Sequence, residues 1–221
     1  MGYGEISSGN VPYDKKVTVE ACKTGCALFG KGGGCPPYSP DFQQIKKKFP
    51  YAQAIYSRLY TRYYPPKVAR ASFYIRWNFV KALMERKIAN VGYFLREQLG
   101  GFFLSAGPCH GCGNKTCAFK EGEKKCRKPE KRVFSLESTG VLANELVEKL
   151  FGFRLLWFDK EREDYIPEYM VNVILLMTKN SVPENLLGDC VREYYQNIPG
   201  AYFPVTDEER ENILGRNWED R

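Results

Sequence analysis

Phe73-Tyr-Ile-Arg-Trp77-Asn-Phe-Val80-Lys-Ala-Leu-Met84-Glu-Arg-Lys-Ile88-Ala-Asn-Val91-Gly-Tyr-Phe-Leu95-Arg-Glu-Gln-Leu99-Gly100-Gly101-Phe102-Phe103-Leu104-Ser105-Ala106-Gly107-Pro108-Cys109 is the stretch on which the fold turns. Phe73, Trp77, Val80, Met84, Ile88, Val91, Leu95 and Leu99 recur at intervals of three or four, which predicts one long helix with a single apolar stripe. So regular a stripe reads as core packing rather than a cofactor box. Gly100-Gly101 ends the helix. Phe102 to Ser105 then reads as a short buried strand that delivers the chain to Gly107-Pro108-Cys109.

Upstream, Lys15 to Glu20 reads as a short strand leading into Cys22. Asp41 to Phe49 reads as a helix capped by Ser39 or Asp41 and stopped by Pro50, and Ala52 to Tyr60 as a strand. Downstream, Ser138 or Thr139 is expected to cap a helix running through Lys149-Leu150, with Gly152 past its end. Arg154 to Phe158 and Val171 to Thr178 read as strands, the second apolar enough to be central. Helices are expected around Leu187 to Tyr195 and from Asp207 to Asn217. Strands and helices mixed without regular alternation predict an α+β fold with the helices on one side of the sheet. The expectation is a single domain over residues 1–180 with a mixed sheet, one long amphipathic helix and two cysteine-rich metal-binding loops, followed by a C-terminal helical extension over 181–221.

A chain of 221 residues with 43 % hydrophobic residues can bury a substantial core. The N-terminus has no basic region followed by an apolar stretch, and no run of about 18 apolar residues follows. The expected location is the cytoplasm. Clustered thiols in a reducing compartment are metal ligands more often than disulfides, with cytosolic proteins of hyperthermophiles as the exception.

Seven of the eight cysteines form two groups, Cys22-Cys26-Cys35 and Cys109-Cys112-Cys117-Cys126. The second group places four thiols in one short segment, enough to enclose a 4Fe-4S cluster or a tetrahedral zinc. Irregular gaps and the lack of a paired Cys-x2-Cys motif favour iron-sulfur. The first group has three thiols in a segment rich in glycine, Gly25, Gly30, Gly32, Gly33 and Gly34, before Cys35-Pro36-Pro37. Three cysteines on a 4Fe-4S cluster leave one iron open to a substrate, a water or another residue. Cys190 is a candidate fourth ligand, but Leu186, Leu187, Val191 and Tyr194 surround it at helical spacing, so a buried core thiol is the favoured reading.

The formal charge of +7 is concentrated. Lys115, Lys120, Lys124, Lys125, Arg127, Lys128, Lys131 and Arg132 crowd around Cys117 and Cys126, against Glu121, Glu123 and Glu130. Cations there would lower thiolate pKa values and offset the charge of a thiolate centre. They would also suit an acidic redox partner or, less favourably, RNA phosphates; a solvated basic loop is the plain alternative. Hydrolytic catalysis has little support. The one histidine, His110, lies between Cys109 and Cys112, and no Gly-x-Ser-x-Gly, phosphate-binding or dinucleotide motif is present.

Cys22-Lys-Thr-Gly-Cys26, Gly34-Cys35-Pro36-Pro37-Tyr38-Ser39-Pro40, Ala106-Gly107-Pro108-Cys109-His-Gly-Cys112 and Cys126-Arg127-Lys128-Pro129-Glu130 occur in that order, followed by Ser135-Leu136-Glu137 and Gly140. This combination resembles the prokaryotic predicted metal-binding proteins of unknown function, over about Cys22 to Gly140. The resemblance implies metal or iron-sulfur binding and supplies no reaction.

Three functions are therefore expected to compete. The first is a redox protein holding one or two 4Fe-4S clusters and exchanging electrons with a partner of acidic surface. The second is an enzyme using an open iron at Cys22-Cys26-Cys35 as a Lewis acid. The third is a zinc protein binding RNA or a ribonucleoprotein through the basic face and through Tyr60, Tyr63 and Tyr64 beside Arg58 and Arg62. The first is favoured.

Overall fold

The computed structural model describes residues 1–196 apart from Asn114, Lys160 and Glu163. The helix expected over Asp207 to Asn217 lies outside the described residues. Five strands, β1 (Gly2–Ser7), β2 (Tyr51–Tyr60), β3 (Phe102–Ser105), β4 (Phe134–Ser135) and β5 (Tyr169–Thr178), form one sheet in the order β1-β2-β5-β3-β4. All pairings are antiparallel except β3 with β4, so the sheet is mixed. The helices are α1 (Lys15–Gly25), α2 (Phe42–Lys46), α3 (Pro66–Ala69), α4 (Phe73–Leu99), α5 (Leu136–Thr139), α6 (Ala143–Phe151) and α7 (Glu184–Gln196). None of the described helices is long and apolar enough to cross a membrane.

β5 is central because both of its faces are apolar. Val173, Leu175 and Met177 join Ala52, Ala54 and Leu104 on one face and pack on Phe42 and Ile45 of α2 and on Leu146, Val147 and Phe151 of α6. Ile174 and Leu176 join Ile55 and Phe103 on the other and pack on Ile88, Val91 and Leu95 of α4 and on Leu187, Cys190 and Val191 of α7. Helices therefore cover both faces, not one. A strand whose successive side chains are all apolar demands this, since each face must be withdrawn from water at about 1.5–3 kcal/mol per large side chain. A third cluster, Leu59, Tyr64, Val80, Met84, Phe158 and Met170, extends the core towards the start of α4.

The long helix, its glycine stop and the strand behind it occur where the sequence places them, and Gly100 ends α4 with φ +74°. Three readings are corrected, and one strand, β1, went unread. Lys15 to Glu20 is the start of α1, because the Asp14 carboxylate accepts the Val17 N–H at 3.0 Å and caps a helix there. The alternation that suggested a strand does not track burial, since Val17 is 55 % exposed. The segment after the last cysteine is two helices: Ser135 caps the single turn of α5 through the Ser138 N–H at 3.0 Å, Gly140 ends it, and α6 starts afresh at Ala143. Arg154 to Phe158 is irregular, and the Leu155 N–H goes to the Asn144 side chain instead of a neighbouring strand. β1 carries two glycines, which weaken a strand signal, and forms because the β2 edge is there to pair with it.

Gly92 lets α4 reach the sheet. A Cβ there would collide with the Phe103 ring, so the backbone itself rests on that ring. Gly92→Val is expected to lower unfolding free energy by about 1–3 kcal/mol through overpacking, measured by urea denaturation.

Candidate metal centre

The first cysteine group is built on a helix end rather than in a strand-fed loop. Cys22 lies on the last turn of α1 and Cys26 is its C-cap, donating its N–H to the Cys22 carbonyl at 3.0 Å. One helical turn thus separates the two residues and brings them to the same side of the helix end. From there the chain loops through Gly30, at φ +72°, to Cys35, whose N–H bonds to the Gly32 carbonyl at 2.9 Å. Cys35 is 6 % exposed, Cys22 is half-buried and Cys26 faces solvent.

Gly33 and Gly34 have no room for side chains, and Gly32 has little. A Cβ on Gly32 would stand 3.0 Å from the Cys35 Sγ, one on Gly33 would enter the Phe119 ring, and one on Gly34 would strike the Val133 carbonyl and come within 3.0 Å of the Cys109 Cβ. The Gly34 carbonyl also accepts the Ser135 N–H at 2.9 Å and the Ser138 hydroxyl at 3.0 Å. The first cysteine loop is thereby pressed flat against the segment that carries the second group.

Cys109, just past β3, is half-buried, and its sulfur accepts the backbone N–H groups of Val133 at 3.3 Å and Gly111 at 3.4 Å. Cys112, Cys117 and Cys126 are half-buried along the following loop, which folds over Phe119. Two of the eight basic residues of this stretch build the loop. Arg132 donates to the Gly33 and Tyr38 carbonyls, both at 2.8 Å, and lies over Phe119 and Phe134. Arg127 pairs with Glu121 and Glu123. Lys115, Lys120, Lys124, Lys125, Lys128 and Lys131 are exposed.

Burial pushes the Cys35 thiol up to about 12, reinforced by Cys26, Cys22 and Cys109. Burial, then Glu137 and Cys26, push Cys22 up to about 11. Cys112 is raised by burial and by Cys117, Cys126 and Cys109. Cys109 thus acts on members of both groups. Glu137, held by the Ser135 hydroxyl at 3.2 Å, has its own pKa raised by burial. His110 is pushed down by burial, Arg86 and Lys81, and its Nε2 lies 3.8 Å from Glu85. Cys190 sits in the core between α7 and α4.

Among the described residues, no three Cys, His, Asp or Glu side chains converge on one point tightly enough to hold a metal ion. The donor set nevertheless suits a soft metal or an iron-sulfur cluster: the candidate ligands are thiols, and two backbone N–H groups are already aimed at the Cys109 sulfur. Because the Cys22 and Cys35 thiols are pushed up to about 11 and about 12, loading a metal on them must release protons, and affinity must rise with pH towards those values.

A cleft of about 640 Å³ opens beside the first group. It exists because β3 pairs with β5 only from Ile174 to Met177, whereas β2 pairs along all of Tyr169 to Thr178. The uncovered part of β5, Met170 to Asn172, lines the cleft together with α1, the first half of α4 and the start of α6. Cys22, Cys26 and Cys35 border it, as do Glu137, Trp77 and Trp157. The sequence reading missed this role for Glu137, Asn172 and Trp157. The one signal available was Glu137's place in the Ser135-Leu136-Glu137 segment.

Gly34→Ala is expected to separate the two cysteine segments, lowering stability by about 1–3 kcal/mol and reducing the metal retained through purification. Thermal unfolding and elemental analysis beside the parent protein check this.

No curated protein and no solved structure gives a significant match to the chain. A family model described as predicted metal-binding protein (DUF2284) matches residues 4–177, which takes in both cysteine groups, all of β2, β3 and β4, most of β1 and all but the last residue of β5. The chain belongs to this family of predicted metal-binding proteins, DUF2284.

Proposed function

We propose that this is an iron-sulfur redox protein of the cytoplasm that holds one or two 4Fe-4S clusters through Cys22, Cys26, Cys35, Cys109, Cys112, Cys117 and Cys126. The observation that carries the reading is the position of Cys109, hydrogen-bonded at its sulfur and acting on both Cys35 and Cys112. Two thiol groups far apart in sequence become neighbours through it. A bound 4Fe-4S cluster supplies one-electron transfer, and its potential responds to hydrogen bonds at the thiolates and to solvent exposure.

The chain's own residues meet those needs. The Val133 and Gly111 N–H groups hydrogen-bond the Cys109 sulfur, the buried Val133 packs in the cluster against which Cys109 lies, and Arg132 locks the two loops together. The six exposed lysines from Lys115 to Lys131 offer a docking face for a partner with an acidic surface. A second reading, an enzyme with an open iron at Cys22, Cys26 and Cys35, is favoured by the cleft these thiols border. Zinc binding with a nucleic-acid partner has less support, because Arg58 and Arg62 lie over the rings of Tyr60, Tyr63 and Tyr169 and Tyr64 is buried.

Iron, zinc and acid-labile sulfide in anaerobically purified protein test the reading. About eight irons with as many sulfides per chain correspond to two clusters and about four to one, whereas zinc without sulfide overturns it. Cys112→Ala is expected to remove one centre and spare the other, seen as a loss of about half the iron and visible absorbance. Cys26→Ala should leave the second centre intact, and loss of all metal in that variant would mean one shared site.

A further inference from the structure

We infer that the cleft beside the first cysteine group binds an organic amine, a ligand with an apolar body and a protonated nitrogen. Trp77, Val80, Met84, Leu28 and Leu155 make its walls predominantly apolar, and its volume of about 640 Å³ lies in the range of small-molecule sites. Among the polar groups that such walls leave for recognition, the glutamates and one acceptor without a partner favour a hydrogen-bond donor carrying positive charge.

Asn172 is the anchor. It lies on the uncovered part of β5, lines the cleft and is 9 % exposed, yet its Oδ1 is buried with no hydrogen-bond partner among the described residues. A buried acceptor left without a donor costs about 1–3 kcal/mol, which a ligand N–H would recover. Charge points the same way. Among the described residues lining the cleft, the charged side chains are Lys81, Glu85, Glu137 and Glu145, and Lys81 is engaged by Glu85 at 3.7 Å. The cleft is thus net negative in a chain of net charge +7. At its mouth Trp157, 52 % exposed, stands with its ring centroid 6.4 Å from that of Trp77, and indole faces attract an ammonium group. A carboxylate or phosphate ligand would meet three glutamates and an acceptor oxygen instead.

This inference goes beyond the iron-sulfur reading and does not require it, because its polar contacts come from Asn172, the glutamates and the tryptophans. Binding is therefore measured on the full chain both as purified and after metal removal, so that a failed cluster reading, seen in the metal analysis, stays separate from a failed cleft. The probes are 2-phenylethylamine and its acidic counterpart 3-phenylpropionate. They are followed by calorimetry and by tryptophan fluorescence, for which two of the three tryptophans flank the cleft. Saturable binding of the amine is expected, with the acid at least about tenfold weaker. Asn172→Leu should weaken the amine about tenfold, and Trp157→Ala, at an exposed position that tolerates truncation, about threefold or more. Equal affinity for the two probes, no saturation by about 10 mM amine, or unchanged affinity in the folded variants would overturn the proposal. Should Asn172→Leu fail to fold, the Trp157→Ala variant and the comparison of probes decide the outcome.

Discussion

The candidate centre depends on a side chain that is missing. At Gly34 the backbone of the first cysteine loop touches the Val133 carbonyl and the Cys109 side chain, leaving no space for a Cβ, and the Gly34 carbonyl takes hydrogen bonds from Ser135 and Ser138. That contact brings Cys35 beside Cys109 and joins β3 and β4 to the segment after α1. Gly33 extends the seam by resting on Phe119, and Arg132 spans it from the second cysteine segment. The close approach of two backbones is what glycine allows and any other residue prevents.

Charge is divided between the inside and the outside of this arrangement. Burial first, and then repulsion from Glu137 and the neighbouring thiols, holds Cys22 and Cys35 in the neutral state until something positive replaces their protons. A metal centre supplies such a charge, and so would an ammonium group in the neighbouring cleft. Six exposed lysines, by contrast, lie on the outer loop, where they face solvent. The basic surface and the acidic lining of the cleft are thus on different parts of the molecule.

The cleft follows from a mismatch in strand length. β5 runs the full length of β2, but β3 stops four residues in and turns towards Cys109. Where β3 no longer covers β5, the side chains of α1, α4 and α6 approach without filling the space, and Asn172 is left at the bottom. The strand that delivers the second cysteine group is thus also the one whose early end makes room for a ligand.

Much of this was determined by local sequence. The stripe from Phe73 to Leu99, the Gly100-Gly101 stop, the unbroken apolar run of β5 and the spacing of the seven cysteines specify the long helix, the central strand and the candidate donors, because each depends on periodicity or composition within one segment. The α1 cap at Asp14 was also legible, but the alternating Lys-Lys-Val-Thr-Val-Glu pattern competed with it and pointed to a strand. Covering both sheet faces is a demand of β5 that the order of helices along the chain concealed. Only tertiary structure decided that Gly34 meets Cys109, that Glu137 stands by Cys22 and Cys35, and that Asn172, Trp77 and Trp157 share a cleft. These are contacts between segments tens of residues apart, and they depend on which strand ends first and which backbone can approach most closely, information that no single stretch of sequence carries.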